Sequence, residues 1–250
     1  MSVEMNLEGH KKIALQFSGG RDSLAMLLYL RPIWDKVTVY YTNSGDAYPE
    51  TLALVAAVKD VVPNFVEIQG KVQETREQFG WSSDVMPADA NFKFGPGMVP
   101  GHMPLIDRYS CCYRSILDPM HTKMKEDGVT CLLRGQRQAD NIKSDVQDGE
   151  WIDGFQIFYP INGWSTQEVD DYIEACGVDL PAYYAYGLTS APDCMHCTAW
   201  LEHKATKYLS KKHPDVALEV NRRLQQIKVV VQPFLQNLDA AIEDSTCTLH

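Results

Sequence analysis

The residues Ser18, Gly19, Gly20, Arg21, Asp22 and Ser23 stand between an apolar run and a helix-like segment, in the stretch QFSGGRDSLAML. Two adjacent glycines at a strand-to-helix turn let the backbone come close to a ligand, and the N–H groups that open a helix favour an anion there. Ser18 and Ser23 add hydroxyl donors to the same turn. The pattern lacks the Gly-Lys-Ser/Thr ending of a Walker loop and is not GxGxxG. Taken alone it also reads as a tight connection with Asp22 and Ser23 in the first helical turn.

Cysteines supply the second set of chemical groups. Of the seven, Cys111 and Cys112 are adjacent, Cys194 and Cys197 form a CxxC, and Cys131, Cys176 and Cys247 stand singly. An odd count in a chain this long does not read as a secreted disulfide framework. Two pairs suggest four thiolate ligands, a set that suits iron–sulfur or zinc, with a thiol–disulfide couple as the other reading of CxxC. Cys131 in an apolar run and Cys176 near a helix end read as small core residues.

The 23 Lys plus Arg against 33 Asp plus Glu leave a net charge of −10, which disfavours a non-specific polyanion binder but leaves room for a small anionic ligand. No apolar run approaches the ~20 residues of a membrane span, and the start MSVEMNLEGHKK lacks the apolar core of a signal peptide. The expectation is a cytoplasmic protein with no membrane partner.

The elements that must position these groups alternate. Residues 11–17, 36–42, 64–70, 129–135 and 155–161 read as strands. Helices are expected near 22–30, 50–60, 112–126 and 166–175, with two more after Thr198. That alternation predicts an α/β fold, a mainly parallel twisted sheet with helices on both faces. Residues 81–110, rich in Gly and Pro, read as one long loop, and the region after Lys211 as helices broken near Pro233.

Five segments in order resemble the phosphoadenosine phosphosulfate (PAPS) reductase family, with its adenine nucleotide alpha-hydrolase-like (PP-loop) fold. FSGGRDS looks like the PP-loop, TNSGDAYPET like DTGxxFPET, RGQRQADN like GxRxxxS, YPINGWSTQEVDDYI like PLxxWTxxDVxxYI, and GLTSAPDCMHCT like GYxSIGCxxCT. The resemblance implies a nucleotide-binding domain over residues 1–200 and a C-terminal helical extension over 201–250. It implies that Ser18, Gly19, Gly20, Arg21, Asp22 and Ser23 cradle the phosphates of an adenine nucleotide substrate and that Ser44 and Gly45 contact adenosine. Arg137 matches the arginine of GxR and is the first candidate for a sulfate or phosphate contact, with Arg21 and Arg114 behind it.

In the cluster-bearing members of that family a tandem Cys-Cys and a later CxxC hold a 4Fe–4S cluster, which implies Cys111, Cys112, Cys194 and Cys197 as ligands, with zinc as the fallback metal. The family's terminal cysteine attacks the sulfur of the sulfonucleotide and is later reduced by thioredoxin or glutaredoxin. Here Cys247 and His250 of STCTLH match that end, whereas Thr246 and Thr248 do not. Ser115 and Ile116 stand where the reductases carry a basic pair. The implied activity is release of sulfite from PAPS or APS through a cysteine thiosulfonate, in a chain compatible with a homo-oligomer. The intact SGGxDS loop keeps a rival open, an ATP-splitting iron–sulfur enzyme that inserts sulfur into nucleic acid, and a third reading is a non-catalytic nucleotide-binding module.

Overall fold

The computed structural model describes residues 7–86, 104–140 and 144–246. In chain order its strands are β1 (Ile13–Gln16), β2 (Val37–Asn43), β3 (Phe65–Gln69), β4 (Trp81–Ser83), β5 (Leu105–Asp107), β6 (Cys131–Leu133), β7 (Trp151–Ile152) and β8 (Phe155–Phe158). The α-helices are α1 (Arg21–Tyr29), α2 (Pro49–Val61), α3 (Val72–Phe79), α4 (Arg108–Cys112), α5 (Asp118–Glu126), α6 (Thr166–Ala175), α7 (Ala205–Lys212) and α8 (Pro214–Thr246). The chain divides into two compact units, one of Met1–Gly70 with Ile116–Cys194, the other of Lys71–Ser115 with Met195–His250.

All five expected strands lie in the first unit, in one sheet of order β3-β2-β1-β6-β8-β7. Every pairing from β3 to β8 is parallel, and only the short β7 runs antiparallel, against β8. Successive strand residues face opposite sides. Ile13, Leu15, Val39 and Leu133 therefore join the core beneath α1 and α6, while Ala14, Tyr40 and Leu132 join a second core with Met120 and Met124 of α5. Burial on both faces explains why these strands read as continuous apolar runs. Ser165 and Glu168 close a reciprocal capping box that starts α6 at the expected residue.

In the second unit the segment expected to be one loop begins and ends as strands. Trp81, Ser82 and Ser83 pair in parallel with Leu105, Ile106 and Asp107. Their apolar face is supplied from far along the chain, since Trp81 and Leu105 pack with Ile227, Val230 and Val231 of α8. Local periodicity carries no trace of such a partner. The expected break at Pro233 is also corrected, because α8 runs through it. A proline inside a helix costs about 3 kcal/mol, and burial of Ile227, Val230 and Val231 just before it offsets that. The helix boundary falls instead at Pro214, which opens α8 where a missing N–H is harmless. Cys131 is fully buried in β6 as expected, but Cys176 is exposed at the C-terminal cap of α6, not in the core. Among the described residues no helix is long and apolar enough to cross a membrane.

Gly80 ends α3 at φ +86°, and a Cβ there would lie 1.6 Å from the carbonyl oxygen of Pro104. Gly128 has φ +74° with open space around it. Gly128→Ala should therefore cost about 1 kcal/mol of backbone strain, and Gly80→Ala about 3 kcal/mol or more, since backbone must also move. Urea denaturation midpoints of the two variants check the difference.

Candidate functional site

Two sets of residues carry chemistry, the nucleotide-loop candidates in the first unit and the tandem cysteines with Cys197 in the second. In the first unit β1 ends into Phe17, and Ser18–Gly20 turn the chain into α1. Sheet order reverses here, with β2 on one side of β1 and β6 on the other. Such a crevice beyond the carboxyl ends of parallel strands is where α/β sheets receive ligands. Gly19 has φ +74°, and a Cβ on it would come 2.7 Å from Cγ2 of Thr51 in α2. Gly135, after β6, packs as closely on α1, because its Cβ would lie 3.1 Å from the backbone of Asp22 and Ser23. A side-chain methyl against Gly19, whose positive φ favours glycine, and backbone against Gly135 thus hold the turn from both sides.

The two serines hold the turn from within. The Ser18 and Ser23 hydroxyls lie 3.1 Å apart, the Ser18 hydroxyl accepts from the Gly20 amide at 3.3 Å, and the Ser23 hydroxyl donates to the Gly20 carbonyl at 2.9 Å. Ser44 follows β2 and donates its hydroxyl to the Asp193 carbonyl at 2.8 Å, while Gly45, at φ +79°, closes a turn on the Asn43 side chain. Both follow the carboxyl end of β2.

Arg137 is placed differently from the expectation of an anion contact. Its side chain is only 4% exposed and turned inward, with Nε 3.0 Å from Asp22 Oδ1 and Nη2 3.0 Å from Asp140 Oδ1. Nη1 reaches the Trp164 carbonyl and the Thr166 hydroxyl at 3.4 and 3.3 Å. The guanidinium therefore positions Asp22, and it binds the loops after β1 and β6 together. Burial raises the Asp22 pKa, opposed chiefly by Arg137. Arg21, by contrast, leans outward. It pairs with Asp170 of α6 at 3.3 Å and stacks over the Tyr184 ring at 5.4 Å. Sequence reasoning missed Asp140, Asp170 and Tyr184. Only Asp140 left a signal, three residues after Arg137 in RGQRQAD.

In the second unit Cys111 is buried near the end of α4, whose start is capped by the Asp107 side chain accepting from the Ser110 amide. A π-helical turn, Tyr113–Leu117, follows the tandem cysteines at once. Such bulges recur at functional sites. The Ser82 hydroxyl lies 3.8 Å from Cys197 Sγ and also bonds the Cys111 thiol, so two cysteines distant in sequence share one hydroxyl. Burial pushes both thiols up. Ser115, standing where a basic residue was expected, is 1% exposed, and its hydroxyl is buried with no hydrogen-bond partner among the described residues, a place with no room for a solvated charge.

The segment after Cys197 is pinned by the end of β4. The Thr198 hydroxyl donates to the Ser82 carbonyl at 2.6 Å, and the Asp84 carboxylate accepts from the Trp200 and Leu201 amides at 2.9 Å each. Arg108 adds ion pairs to Asp84 and Glu202 while stacking over Trp200 at 4.1 Å. Arg114 stacks on Phe79.

Cys194 belongs to the first unit, and all six described cysteines are outside disulfides. As soft thiol donors they suit iron–sulfur or zinc. Among the described residues, however, no three or more His, Cys, Asp or Glu side chains are grouped as metal ligands. Cys247 and His250 lie outside the described residues.

Residues 12–200 match the phosphoadenosine phosphosulfate reductase domain, most of the chain, and the protein belongs to that family. Among solved structures it is similar to the phosphoadenylyl-sulfate (PAPS) reductase of Candida auris in a phosphate complex, at 19% identity and TM-score 0.50, covering 72% of this chain and 80% of that one. It is also similar to yeast FAD synthetase with FAD, at 13% identity and TM-score 0.46, covering 72% and 55%. A third is the U34-tRNA thiolase NcsA of Methanococcus maripaludis with its 4Fe–4S cluster, at 14% identity and TM-score 0.43, covering 86% and 71%. No curated protein matches.

Arg137→Met should destabilise the fold by about 3–5 kcal/mol at pH 7, because it leaves the Asp22 and Asp140 carboxylates without their cation. The sign with pH follows from Asp22. Its folded pKa already lies above the unfolded one, so stability falls as pH rises through that window, and losing Arg137 raises the folded pKa further. The deficit of Arg137→Met against the parent should shrink as pH is lowered from 7 towards 4, as read by chemical denaturation.

Proposed function

We propose that this member of the family is a cytoplasmic sulfonucleotide reductase acting on PAPS or APS. The reading rests on one observation above all, the Ser18–Ser23 turn at the sheet's switch point, packed closely at Gly19, whose φ is +74°, and tightly at Gly135. That turn would seat the nucleotide's phosphate on the opening amides of α1, with Ser44 and Gly45 towards adenosine.

In the proposed reaction the Cys247 thiolate attacks the sulfur of the bound phosphosulfate. The sulfur–oxygen bond to phosphate breaks, and AMP or 3′-phospho-AMP leaves with the electron pair. A thiol of thioredoxin or glutaredoxin then attacks the cysteine S-sulfonate, sulfite leaves, and the partner's dithiol ends as a disulfide. His250, close in sequence, would favour the thiolate form of Cys247. Arg137 serves by fixing Asp22.

Cys111, Cys112, Cys194 and Cys197 are proposed to hold a 4Fe–4S cluster, with zinc as the fallback. Support comes from the tandem and CxxC pattern and from the Cys111 and Cys197 thiols meeting at Ser82. When bound, the cluster would supply redox capacity.

A second reading is favoured by Asp22 itself. A carboxylate beside phosphates is repulsive unless a proton or a divalent cation bridges them, which is the arrangement of ATP-splitting chemistry. In that case the chain would activate a nucleic acid for sulfur insertion.

One experiment separates the two. Protein purified without air is analysed for iron, acid-labile sulfide and zinc. It is then assayed for sulfite and AMP or 3′-phospho-AMP from each sulfonucleotide, beside pyrophosphate from ATP. Sulfite release that is lost in Cys247→Ser, with iron content and nucleotide affinity kept, is the expected result. Pyrophosphate release without sulfite would replace the reductase reading by the second, and stoichiometric zinc without sulfide would remove the cluster.

A further inference from the structure

Tyr184 belongs to a short 3-10 turn, Ala182–Tyr186, in the first unit. Its hydroxyl accepts the backbone N–H of Arg21 at 2.8 Å. That N–H is the first of α1, one of the donors that have no partner within a helix and that an anion on the loop would engage. The same hydroxyl lies 3.6 Å from where a Cβ on Gly20 would be, so it stands over the turn itself.

A tyrosine oxygen that accepts still has its own proton to give. Desolvation pushes the Tyr184 pKa up to about 12, so the group is a neutral donor at ordinary pH. Beside it the Arg21 guanidinium is incompletely matched. Nη1 stands 3.3 Å from each Asp170 oxygen, Nη2 is 3.4 Å from the Thr189 carbonyl, and Nε is buried with no hydrogen-bond acceptor. The Tyr184 hydroxyl, with its proton still to donate, and the Arg21 guanidinium, held by contacts of 3.3–3.4 Å, thus flank the loop, and an oxyanion would find a donor and a cation there.

We infer that Tyr184 is a direct anion ligand, the middle of a relay in which the Arg21 amide donates to the tyrosine oxygen and the tyrosine O–H donates to the ligand. This rests on the nucleotide-loop reading above and deepens it. The relay sets a second anion position one hydroxyl beyond the helix terminus, so the site takes two linked tetrahedral anions, one on Ser18–Ser23 and the next on Tyr184 and Arg21. Phosphosulfate and pyrophosphate share that chemistry, and a single phosphate lacks it.

The test is calorimetric titration of the full chain with inorganic pyrophosphate and, separately, inorganic phosphate. Tyr184→Phe should weaken pyrophosphate about 10-fold or more, the effect of losing one hydrogen bond to a charged group, while phosphate affinity stays within about twofold. Arg21→Met, which keeps the backbone amide, should show the same selective loss and serves if Tyr184→Phe does not fold. An equal loss for both anions would assign Tyr184 a merely supporting role, and tighter binding by Tyr184→Phe would make the hydroxyl a plug. Either result, or unchanged pyrophosphate affinity, overturns the assignment. Should the parent protein bind neither pyrophosphate nor any adenine nucleotide, the nucleotide-loop reading falls first and this inference with it. A parallel titration with APS and with ATP then tells which source of linked anions the relay serves.

Discussion

A guanidinium enclosed to 4% exposure must meet carboxylates, and Arg137 meets two, Asp22 at the start of α1 and Asp140 in its own loop. Isolated charges are too costly to leave unpaired in an interior. The pair therefore ties the turn after β1 to the loop after β6, the two connections that part at the sheet's switch point. Gly135 tightens the same junction by letting that loop lie against α1, and Thr51 supports Gly19 from the other side. The Ser18–Ser23 turn takes its shape from what surrounds it more than from its own glycines. Arg21, next to Asp22 in the chain, is free of this junction and turns towards Asp170 and Tyr184. Adjacent residues of one motif thus divide, Asp22 inward to the Arg137 junction and Arg21 towards Asp170 and Tyr184.

The second unit applies the same logic to thiols. Cys111 and Cys197 come from segments that share no local pattern, and the end of β4 gathers them. Ser82 touches both thiols with its hydroxyl and receives Thr198 on its carbonyl, while Asp84 receives the Trp200 and Leu201 amides. A three-residue strand so serves as the organiser of a candidate thiol centre. Its own stability comes from α8, whose Ile227, Val230 and Val231 cover Trp81 and Leu105. Truncating the C-terminal helix would undermine the cysteines without removing any of them. Ser115 shows why the family's basic residue could be lost here, for its position is buried against Cys111 and cannot solvate a charge.

Much of this was legible in the residues alone. Strands 11–17, 36–42, 129–135 and 155–161 were readable because a parallel sheet covered on both faces writes mostly apolar runs into the chain, while the edge strand within 64–70 showed itself by alternation. The helix near 166–175 was readable from its periodicity, and the Ser165–Glu168 capping box that fixes its start joins residues three apart. Gly19 and Gly20 marked the tight strand-to-helix turn, where the left-handed Gly19 and close packing admit little else. Local chemistry of that kind is decided by neighbours in sequence, so the sequence by itself determines it. Order in the sheet, the partner of Arg137, the pairing of Trp81 with Leu105, the passage of α8 through Pro233 and the hydroxyl of Tyr184 over the Arg21 amide were decided only by the tertiary structure. Each depends on groups brought together from distant segments, where burial and charge pairing outweigh local propensity.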